Sequence, residues 1–440
     1  MSEPQKEIKK HSQLFPYTDY YSEWKPYLLK VLKTSRLSKT TQSPLRSMAF
    51  QLSILKTLIE SEQTLDKQIK EHGMNKSDSY FVYNQRLRQI FKAIADGFAW
   101  RLLGFNRPLL RILSQNRAPG YIKTPISRED DVATFFASQG SHVLMHDITN
   151  ILRIGDLTYI DNDGYPTVVE VKKSGKQILD AEEYKRRVFK GGDLSAQAKR
   201  IVEVDDAIKS GSIYLGESKA NLTLLDVPIN TYLNEVEEII TIANKQGHCE
   251  RFIDKLLYVR AYRLDRKVFR PLPFKQWDNL HFFKSKYCLL ENDGEVFRNK
   301  IPYSAFPFSD EMILQLLSGE VLLESYLNIN MLKRWFEKNG WKVKNNRAKI
   351  LVSEQVNLIK SHMYKGDKLF GIEADTSLFT LSKDGFNMTV PIENLGFISS
   401  DFLKPSIFIE MATRLMAMTR QERSDARVGI GFLNEKKIWI

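Results

Sequence analysis

A short stretch from Arg153 to Lys173 constrains the fold of this chain more than any other part of the sequence. Two runs rich in β-branched and aromatic residues flank the turn formers Asn162, Asp163 and Gly164. This composition predicts a β-hairpin. If those turn residues form the loop, opposed residues have numbers that sum to 326. A loop of another length would shift the register by one residue, and a β-bulge would then be needed to restore it.

The predicted register brings charged side chains to one face of the hairpin. Asp156 lies opposite Glu170, and the Cβ atoms of opposed residues are about 4.5–5.5 Å apart. Lys172 follows Glu170 by two residues and shares its face, whereas Val169 and Val171 point to the other face. Carboxylates this close repel each other unless a positive charge lies between them. The alternative is an edge hairpin whose acid and lysine side chains pair in solvent.

A divalent cation would satisfy such a pair of carboxylates. Mg²⁺ prefers hard oxygen ligands and keeps several waters, so one or two carboxylates and a substrate phosphate suffice, and Mn²⁺ can substitute. The cation polarises the phosphate and acidifies a bound water. A neighbouring lysine can orient or deprotonate that water and offset developing charge. The pattern therefore predicts hydrolysis of a phosphodiester by Asp156, Glu170 and Lys172.

The elements predicted around the hairpin are a helix, three strands and a second helix. The first helix has Ser127 as its N-cap and acidic residues in its first turn. The expected ranges are helix Ser127–Ser138, strands His142–Met145, Asp156–Asp161 and Thr167–Lys173, helix Leu194–Lys209, helix Tyr232–Asn244 and strand Leu256–Tyr262. The basic segment Tyr184–Gly192 is expected to be a mobile loop over a nucleic-acid backbone, or a solvated loop. His142 and His146 are expected to be structural.

Asp156 followed by Glu170-Val171-Lys172 resembles the PD-(D/E)xK nuclease superfamily, which includes restriction endonucleases, Holliday-junction resolvases and RecB-like exonucleases. The resemblance covers roughly residues 120–265. It implies an α/β restriction-endonuclease-like core with the element order αβββαβ. It also implies that Asp156 and Glu170 bind the metal and that Lys172 is the catalytic lysine.

The resemblance implies two more candidate site residues. Many members add an acid from the first helix, and Glu129 is the best-placed candidate for this metal ligand. Some carry a polar catalytic residue on the second helix, for which Gln197 qualifies. Glu129 could instead be an ordinary first-turn acid, and Gln197 an exposed helical residue. The chain departs from the superfamily at Ile201, where the RecB-type QxxxY pattern has tyrosine, and at Gly155, where proline often precedes the aspartate.

Positive charge is concentrated at the start of the chain. Residues 1–125 carry 21 Lys and Arg and 10 Asp and Glu, a net of +11, so the remaining 315 residues contribute +1 to the total of +12. A localised basic region is typical of a polyanion partner, although a solubilising surface explains it equally well. We expect it to form a helical hairpin, with one helix between Ser43-Pro44 and Gly73 and another from Ser79 to Leu103, and an arm or short helix within 17–40.

At 440 residues the chain is too long for one ordinary core. We expect an α+β multidomain protein: a basic helical region at 1–120, the nuclease domain at 121–270 and an α+β C-terminal domain of unknown role at 271–440. The last region is expected to hold helices near Asp310–Leu317, Glu320–Lys338 and Ile407–Arg420, with strands within 341–396, including Leu369–Ile372 and Ser377–Leu381.

No apolar run is long enough to span a membrane, and no apolar segment follows the charged N-terminus as in a secretory signal. Cys249 and Cys288, the only cysteines, indicate reduced thiols. A cytoplasmic protein is therefore expected.

The sequence favours a Mg²⁺-dependent DNA endonuclease, with restriction or anti-phage defence suggested by the large flanking regions. Its expected partner is nucleic acid, with duplex DNA favoured, and a homodimer or a partner subunit is compatible with cleavage of both strands. Two alternatives stay open. One is a non-catalytic nucleic-acid-binding or scaffold protein on a nuclease fold, and the other is an RNA-directed nuclease.

Overall fold

The structure is a computed structural model. It describes residues 3–37, 43–106, 109–110, 113, 129–152, 154–161, 164–171, 178–189, 195–210, 212–215, 218–221, 230–264, 282–287, 301–345, 377–391 and 395–417. Within these ranges helices combine with small antiparallel sheets, which confirms an α+β chain. No helix among them is long and apolar enough to cross a membrane.

Four helices with defined bounds lie in the described part of the N-terminal region. They are α1 (Glu3–Leu14), α2 (Asp19–Leu37), α3 (Pro44–His72) and α4 (Ser79–Leu102), with a short 3₁₀ turn at Phe15–Tyr17. The predicted helices correspond to α3 and α4. Gly73 ends α3 in the left-handed conformation, with φ of +61°. The segment expected to be an arm or short helix is the 19-residue α2. The sequence analysis had not predicted α1.

The central region begins with the predicted order of a helix and three strands. These are α5 (Glu129–Ser138), β1 (His142–Met145), β2 (Leu157–Ile160) and β3 (Pro166–Val171), followed by the two-residue β4 (Ile178–Leu179). The strands form one antiparallel sheet in the order β1-β2-β3-β4. Next come α6 (Ala181–Phe189) and α7 (Ala196–Ser210), and α7 is the predicted second helix.

Two features of this region differ from the prediction. The expected loop at Tyr184–Gly192 is wrong over its first part, because α6 extends to Phe189. Asp180 caps this helix, since its Oδ1 accepts a hydrogen bond from the Glu183 amide at 2.8 Å. The strand after α7, β5 (Ser212–Leu215), pairs with β6 (Ser218–Asn221) in a separate hairpin. A restriction-endonuclease-like core is therefore a proposal, and the structure supports only the coarser α+β class.

A second four-stranded sheet has the order β7-β8-β10-β9, with β7 at His248–Ile253, β8 at Leu257–Arg263, β9 at Phe282–Tyr287 and β10 at Val321–Asn328. Helix α8 (Leu233–Gln246) packs against it. Both α8 and β8 match predicted elements. This sheet joins strands from both sides of residue 270, the expected domain boundary. The residues after 230 thus pack with the C-terminal region.

The C-terminal helices are α9 (Asp310–Ser318), α10 (Ile329–Lys338), α11 (Leu395–Ser399) and α12 (Ser406–Ala417), and a third sheet joins β11 (Lys342–Asn345), β12 (Ser377–Lys383) and β13 (Phe386–Pro391). The predicted helix Glu320–Lys338 is wrong in its first half. Val321–Asn328 is a strand because it lies between β8 and β9, where backbone pairing on both sides overrides helical patterning. The expected strand Leu369–Ile372 lies outside the described residues.

Candidate active site

The hairpin of β2 and β3 has the predicted register. Leu157 pairs with Val169 and Thr158 with Val168. The Asp161 amide donates to the Tyr165 carbonyl oxygen at 3.1 Å, and the Asp161 carboxylate accepts from the Tyr165 amide at 2.7 Å. The loop is therefore 162–164, as the numbers summing to 326 require. The register that brings Asp156 and Glu170 together in the chain is confirmed up to Leu157.

The pairing becomes irregular at Asp156 itself. Its amide donates to the carbonyl oxygen of Val169 at 2.9 Å, one residue short of its predicted partner. Its Oδ2 accepts a hydrogen bond from the amide of Val171 at 2.7 Å. Because the Val171 amide nitrogen is bonded to the carbonyl carbon of Glu170, this contact places the Asp156 carboxylate beside Glu170. Asp156 is thus joined to the backbone on either side of Glu170, outside the regular ladder.

Gly155 permits this close crossing of the two strands. Its φ is +73°, in the left-handed region that favours glycine. A Cβ there would lie 2.6 Å from Val168 Cγ1 and 2.8 Å from the Val169 carbonyl oxygen. The glycine that departs from the superfamily's usual proline therefore has a local steric cause.

Both hairpin carboxylates are buried. Asp156 is 7% exposed and Glu170 is 8% exposed. Glu170 Oε2 accepts a hydrogen bond from the hydroxyl of Tyr184, a buried residue of α6. Buried carboxylates are costly unless hydrogen bonds or positive charge compensate them. Here each acid has a hydrogen-bond donor on one named oxygen, which fixes its orientation.

His146 holds the start of β2 in place. Its amide donates to the Asp156 carbonyl oxygen at 3.0 Å. Its ring Nδ1 lies 3.2 Å from the Gly155 carbonyl oxygen and therefore donates, while Nε2 lies 2.8 Å from the Thr158 hydroxyl. The ring is buried. These contacts agree with the structural role expected for His146, although it is nearer the site than its sequence position suggested.

Two N-terminal helices, α3 and α4, hydrogen-bond to the segment that leads to Asp156. On α4, buried Asp96 accepts from the Asn150 amide at 2.7 Å and the Ile151 amide at 3.3 Å. On α3, fully buried Gln51 donates to the Val143 carbonyl oxygen at 2.6 Å and accepts from the Met145 amide at 2.8 Å. The basic helical region is thus part of the support of the candidate site.

Glu129 is the third predicted metal ligand. Glu129 is buried at the start of α5, which packs against α3, β1 and β2. Among the residues that the structure describes, no three His, Cys, Asp or Glu side chains form a group able to hold a metal. The metal-ligand roles predicted for Asp156, Glu170 and Glu129 stay predictions.

Gln197 and Lys172 complete the predicted set. Gln197 lies exposed in the first turn of α7 and makes no hydrogen bond to the described part of the chain. Lys172 lies outside the described residues, so its predicted role as catalytic lysine stays a prediction.

Sequence reasoning missed Tyr184 because it placed this residue in a loop. A signal was present: Asp180 and Glu183 have the spacing of a capping box, and Glu182 and Glu183 are acids in the first turn of α6. The buried contact of Tyr184 with Glu170 had no counterpart in the sequence pattern.

Ion pairs join α6 to α7. Lys185 Nζ lies 2.7 Å from Asp206, and Lys209 Nζ lies 2.7 Å from Glu182 and 2.8 Å from the buried Asp205. The hydrogen bond from Lys209 lowers the pKa of the Glu182 carboxyl, and the hydrogen bond to Asp206 raises the pKa of Lys185. We call these five residues the α6–α7 ion cluster.

Part of the basic charge of the N-terminal region is neutralised internally. Lys25 lies 2.7 Å from Glu311 and Arg36 lies 2.6 Å from Asp310, while buried Arg101 donates to the Ser304 carbonyl oxygen. Other lysines of α1 and α2 are exposed and form no ion pair with the described residues. They are Lys6, Lys9, Lys10, Lys30 and Lys33. The exposed basic surface is smaller than the sequence count indicates.

No protein-family model, no curated protein and no solved structure matches this chain.

Proposed function

We propose that this protein is a Mg²⁺-dependent endonuclease that hydrolyses phosphodiester bonds in DNA. The observation that carries the proposal is that Asp156 and Glu170 are both buried where β2 meets β3, with the Asp156 carboxylate hydrogen-bonded to the Val171 amide that follows Glu170. A buried acidic pair is poor design for a structural sheet unless it holds a cation. The setting suggested by the large flanking regions is restriction or anti-phage defence, an argument by analogy.

The donor set suits a hard cation. Asp156 and Glu170 would supply carboxylate oxygens to Mg²⁺, a cation for which one or two protein carboxylates suffice. When bound, Mg²⁺ supplies charge neutralisation on the phosphate and an acidified water. In this proposal Lys172, two residues beyond Glu170, would orient the attacking water and offset charge that develops on the phosphate.

A backbone amide and a side-chain hydroxyl of the chain orient the acids. The Val171 amide donates to Asp156, and the Tyr184 hydroxyl donates to Glu170. The exposed lysines of α1 and α2 offer contacts to phosphates, which supply sequence-independent affinity. A homodimer or partner subunit would allow both strands of a duplex to be cut.

Plasmid cleavage tests the proposal. We expect supercoiled plasmid to be nicked or linearised in Mg²⁺ or Mn²⁺, and Asp156→Asn, Glu170→Gln and Lys172→Ala each to lower the rate by at least about 100-fold. Asp131→Asn, which removes an exposed acid from α5, is the matched control and should cleave at the wild-type rate. Undiminished cleavage by the Asp156→Asn variant would reject the assignment.

A second candidate function is supported by a specific observation. The hydrogen bonds that Asp156 and Glu170 receive are also those of structural acceptors, and the described residues hold no group of three metal-binding side chains. A non-catalytic nucleic-acid-binding or scaffold protein would use the acids in this way. Salt-sensitive DNA binding without cleavage in any divalent cation would favour it.

The choice between DNA and RNA needs its own measurement. Competition among duplex DNA, single-stranded DNA and RNA for the wild-type protein would decide, because only RNA offers a 2′-hydroxyl. Preferential cleavage of RNA would favour the RNA-directed nuclease.

A further inference from the structure

Segment 178–184 holds Glu170 from two directions. The two-residue strand β4 pairs with the backbone of β3 at Glu170 and Val171. Helix α6 begins directly after β4, and its fourth residue, Tyr184, donates its hydroxyl to Glu170 Oε2. Tyr184 is 4% exposed, so solvent does not compete strongly for this hydrogen bond.

The first turns of α6, the helix that carries Tyr184, are held by an N-terminal cap and by ion pairs to α7. Asp180 caps its N-terminus. The α6–α7 ion cluster ties Glu182 and Lys185, which flank Tyr184 in sequence, to α7. Asp205 is the buried member of that cluster, so this attachment is less screened by salt than an exposed pair would be.

We propose that Tyr184 is a positioning residue for the metal-binding carboxylate of Glu170. Its hydroxyl donates a hydrogen bond to Oε2 and so fixes the rotamer of the carboxylate. In that rotamer Glu170 would bind a divalent cation together with Asp156. Hydrogen bonds to metal-ligating carboxylates typically change metal affinity by about 10–100-fold. This inference rests on the proposed function and names a residue that the superfamily pattern did not supply.

The test is a Mn²⁺ titration of the full-length protein, with free Mn²⁺ measured by electron paramagnetic resonance. We expect Tyr184→Phe to weaken binding about 10-fold. Tyr159→Phe is the matched control. It removes a hydroxyl from the same hairpin, where the Tyr159 ring stacks on Phe136 at 4.3 Å and makes no hydrogen bond to the described residues. We expect its Mn²⁺ affinity to equal that of the wild type.

A double-variant comparison separates positioning from a general structural effect. Glu170→Asp shortens the acid and withdraws it from the Tyr184 hydroxyl. If Tyr184 acts through Glu170, adding Tyr184→Phe to Glu170→Asp produces little further loss of Mn²⁺ affinity. A merely structural role of Tyr184 would produce the same loss in both backgrounds.

Circular dichroism establishes that each variant folds. Should Tyr184→Phe fail to fold, Asp180→Ala serves instead, because loss of the cap loosens the first turn of α6 and should weaken Mn²⁺ binding in the same direction. Wild-type Mn²⁺ binding that Tyr184→Phe and Asp180→Ala leave unchanged overturns the positioning role and leaves the nuclease proposal standing. A folded wild-type protein that binds no Mn²⁺ rejects both.

Discussion

At the scale of single residues, the candidate site depends on backbone contacts more than on the acids alone. The Asp156 carboxylate meets the Val171 amide, next to Glu170, where Gly155 lets the chain pass against Val168 and Val169. Hydrogen bonds from the amides of His146 and Val171 then hold Asp156 in place just before β2. Substitutions that leave every acid intact should therefore still disturb the site.

Gly155→Ala is expected to destabilise the protein by about 3 kcal/mol or more, because it adds overlap with Val168 and Val169 to the strain of a positive φ. Gly164→Ala is the control: its φ is +81°, yet a Cβ there meets nothing within 4 Å, so only about 1–2 kcal/mol of backbone strain is expected. Urea unfolding measures both. Equal losses would contradict the close crossing at Gly155.

His142 gives stability a dependence on pH. Burial lowers its pKa below the ordinary value of 6.5, so the unfolded chain binds a proton more readily than the folded protein. Stability from this group is present above pH 6.5 and is lost as the pH falls through that value. We expect His142→Asn to flatten the fall in the free energy of unfolding between about pH 7 and pH 5.

The control for this experiment is His72→Asn, at the exposed C-terminal end of α3. It should leave the slope unchanged. The same slope in wild type and His142→Asn would show that burial of His142 does not contribute.

At the scale of elements, a side chain can take the place of a neighbouring strand and so determine where a helix packs on the sheet. Gln51 of α3 presents its amide to β1, donating to Val143 and accepting from Met145. This is the pattern by which a neighbouring strand would satisfy the same groups. The position of α3 over β1 is therefore specified by two hydrogen bonds as well as by apolar packing.

Gln51→Leu is expected to cost about 2–4 kcal/mol, because it leaves a buried carbonyl and a buried amide of β1 without these partners. The matched control is Gln63→Leu, an exposed position on the same helix, with an expected change within about 0.5 kcal/mol. Urea unfolding gives the energies, and faster amide hydrogen exchange at Met145 should accompany the loss. Unchanged exchange at Met145 would count against the role given to Gln51.

The sequence predicted those elements that local patterns determine. The register of β2 and β3 followed from the turn residues at 162–164, and the ends of α3 followed from Pro44 and Gly73. Elements fixed by distant partners were not predicted: Val321–Asn328 is a strand because β8 and β9 flank it.

The residues of the candidate site fall into the same two groups, those placed by local patterns and those placed by distant packing. The positions of Asp156 just before β2 and of Glu170 near the end of β3 were predictable because the hairpin joins the two strands locally. The Tyr184 contact depends on how α6 folds back against β3, and the position of Glu129 depends on α5 packing against α3, β1 and β2. Neither is encoded in a short motif. Gln197, predicted only by resemblance, is exposed.

At the scale of the whole molecule, the N-terminal helices and the segment 301–320 form a continuous packed unit. Ser304 donates its hydroxyl to the Ala93 carbonyl oxygen and accepts a hydrogen bond from Arg101 on its own carbonyl oxygen. Lys25 and Arg36 add ion pairs to α9, and Lys25 also pairs with Glu320, the residue before β10. The first and last thirds of the chain therefore stabilise each other.

Gly97 lies at the closest point of this contact. A Cβ there would lie 2.2 Å from Ser304 Oγ and 2.8 Å from the Ser304 carbonyl carbon. We expect Gly97→Ala to destabilise the protein by about 2 kcal/mol or more, even though alanine favours a helix over glycine by about 1 kcal/mol.

The control is Gly396→Ala in α11, where a Cβ meets nothing within 4 Å, and a neutral or stabilising change is expected. Thermal unfolding of both variants makes the comparison. Stabilisation by Gly97→Ala would show that α4 and Ser304 are farther apart than the structure indicates.

The amide of Gln51 has a consequence for self-assembly. An edge strand with free backbone groups can recruit a strand from a second molecule and extend its sheet across the two. At β1 the carbonyl of Val143 and the amide of Met145 are already engaged by α3, so this edge offers no template there. If two copies of the chain associate to cut both strands of a duplex, they must meet through another surface than a sheet continued across β1.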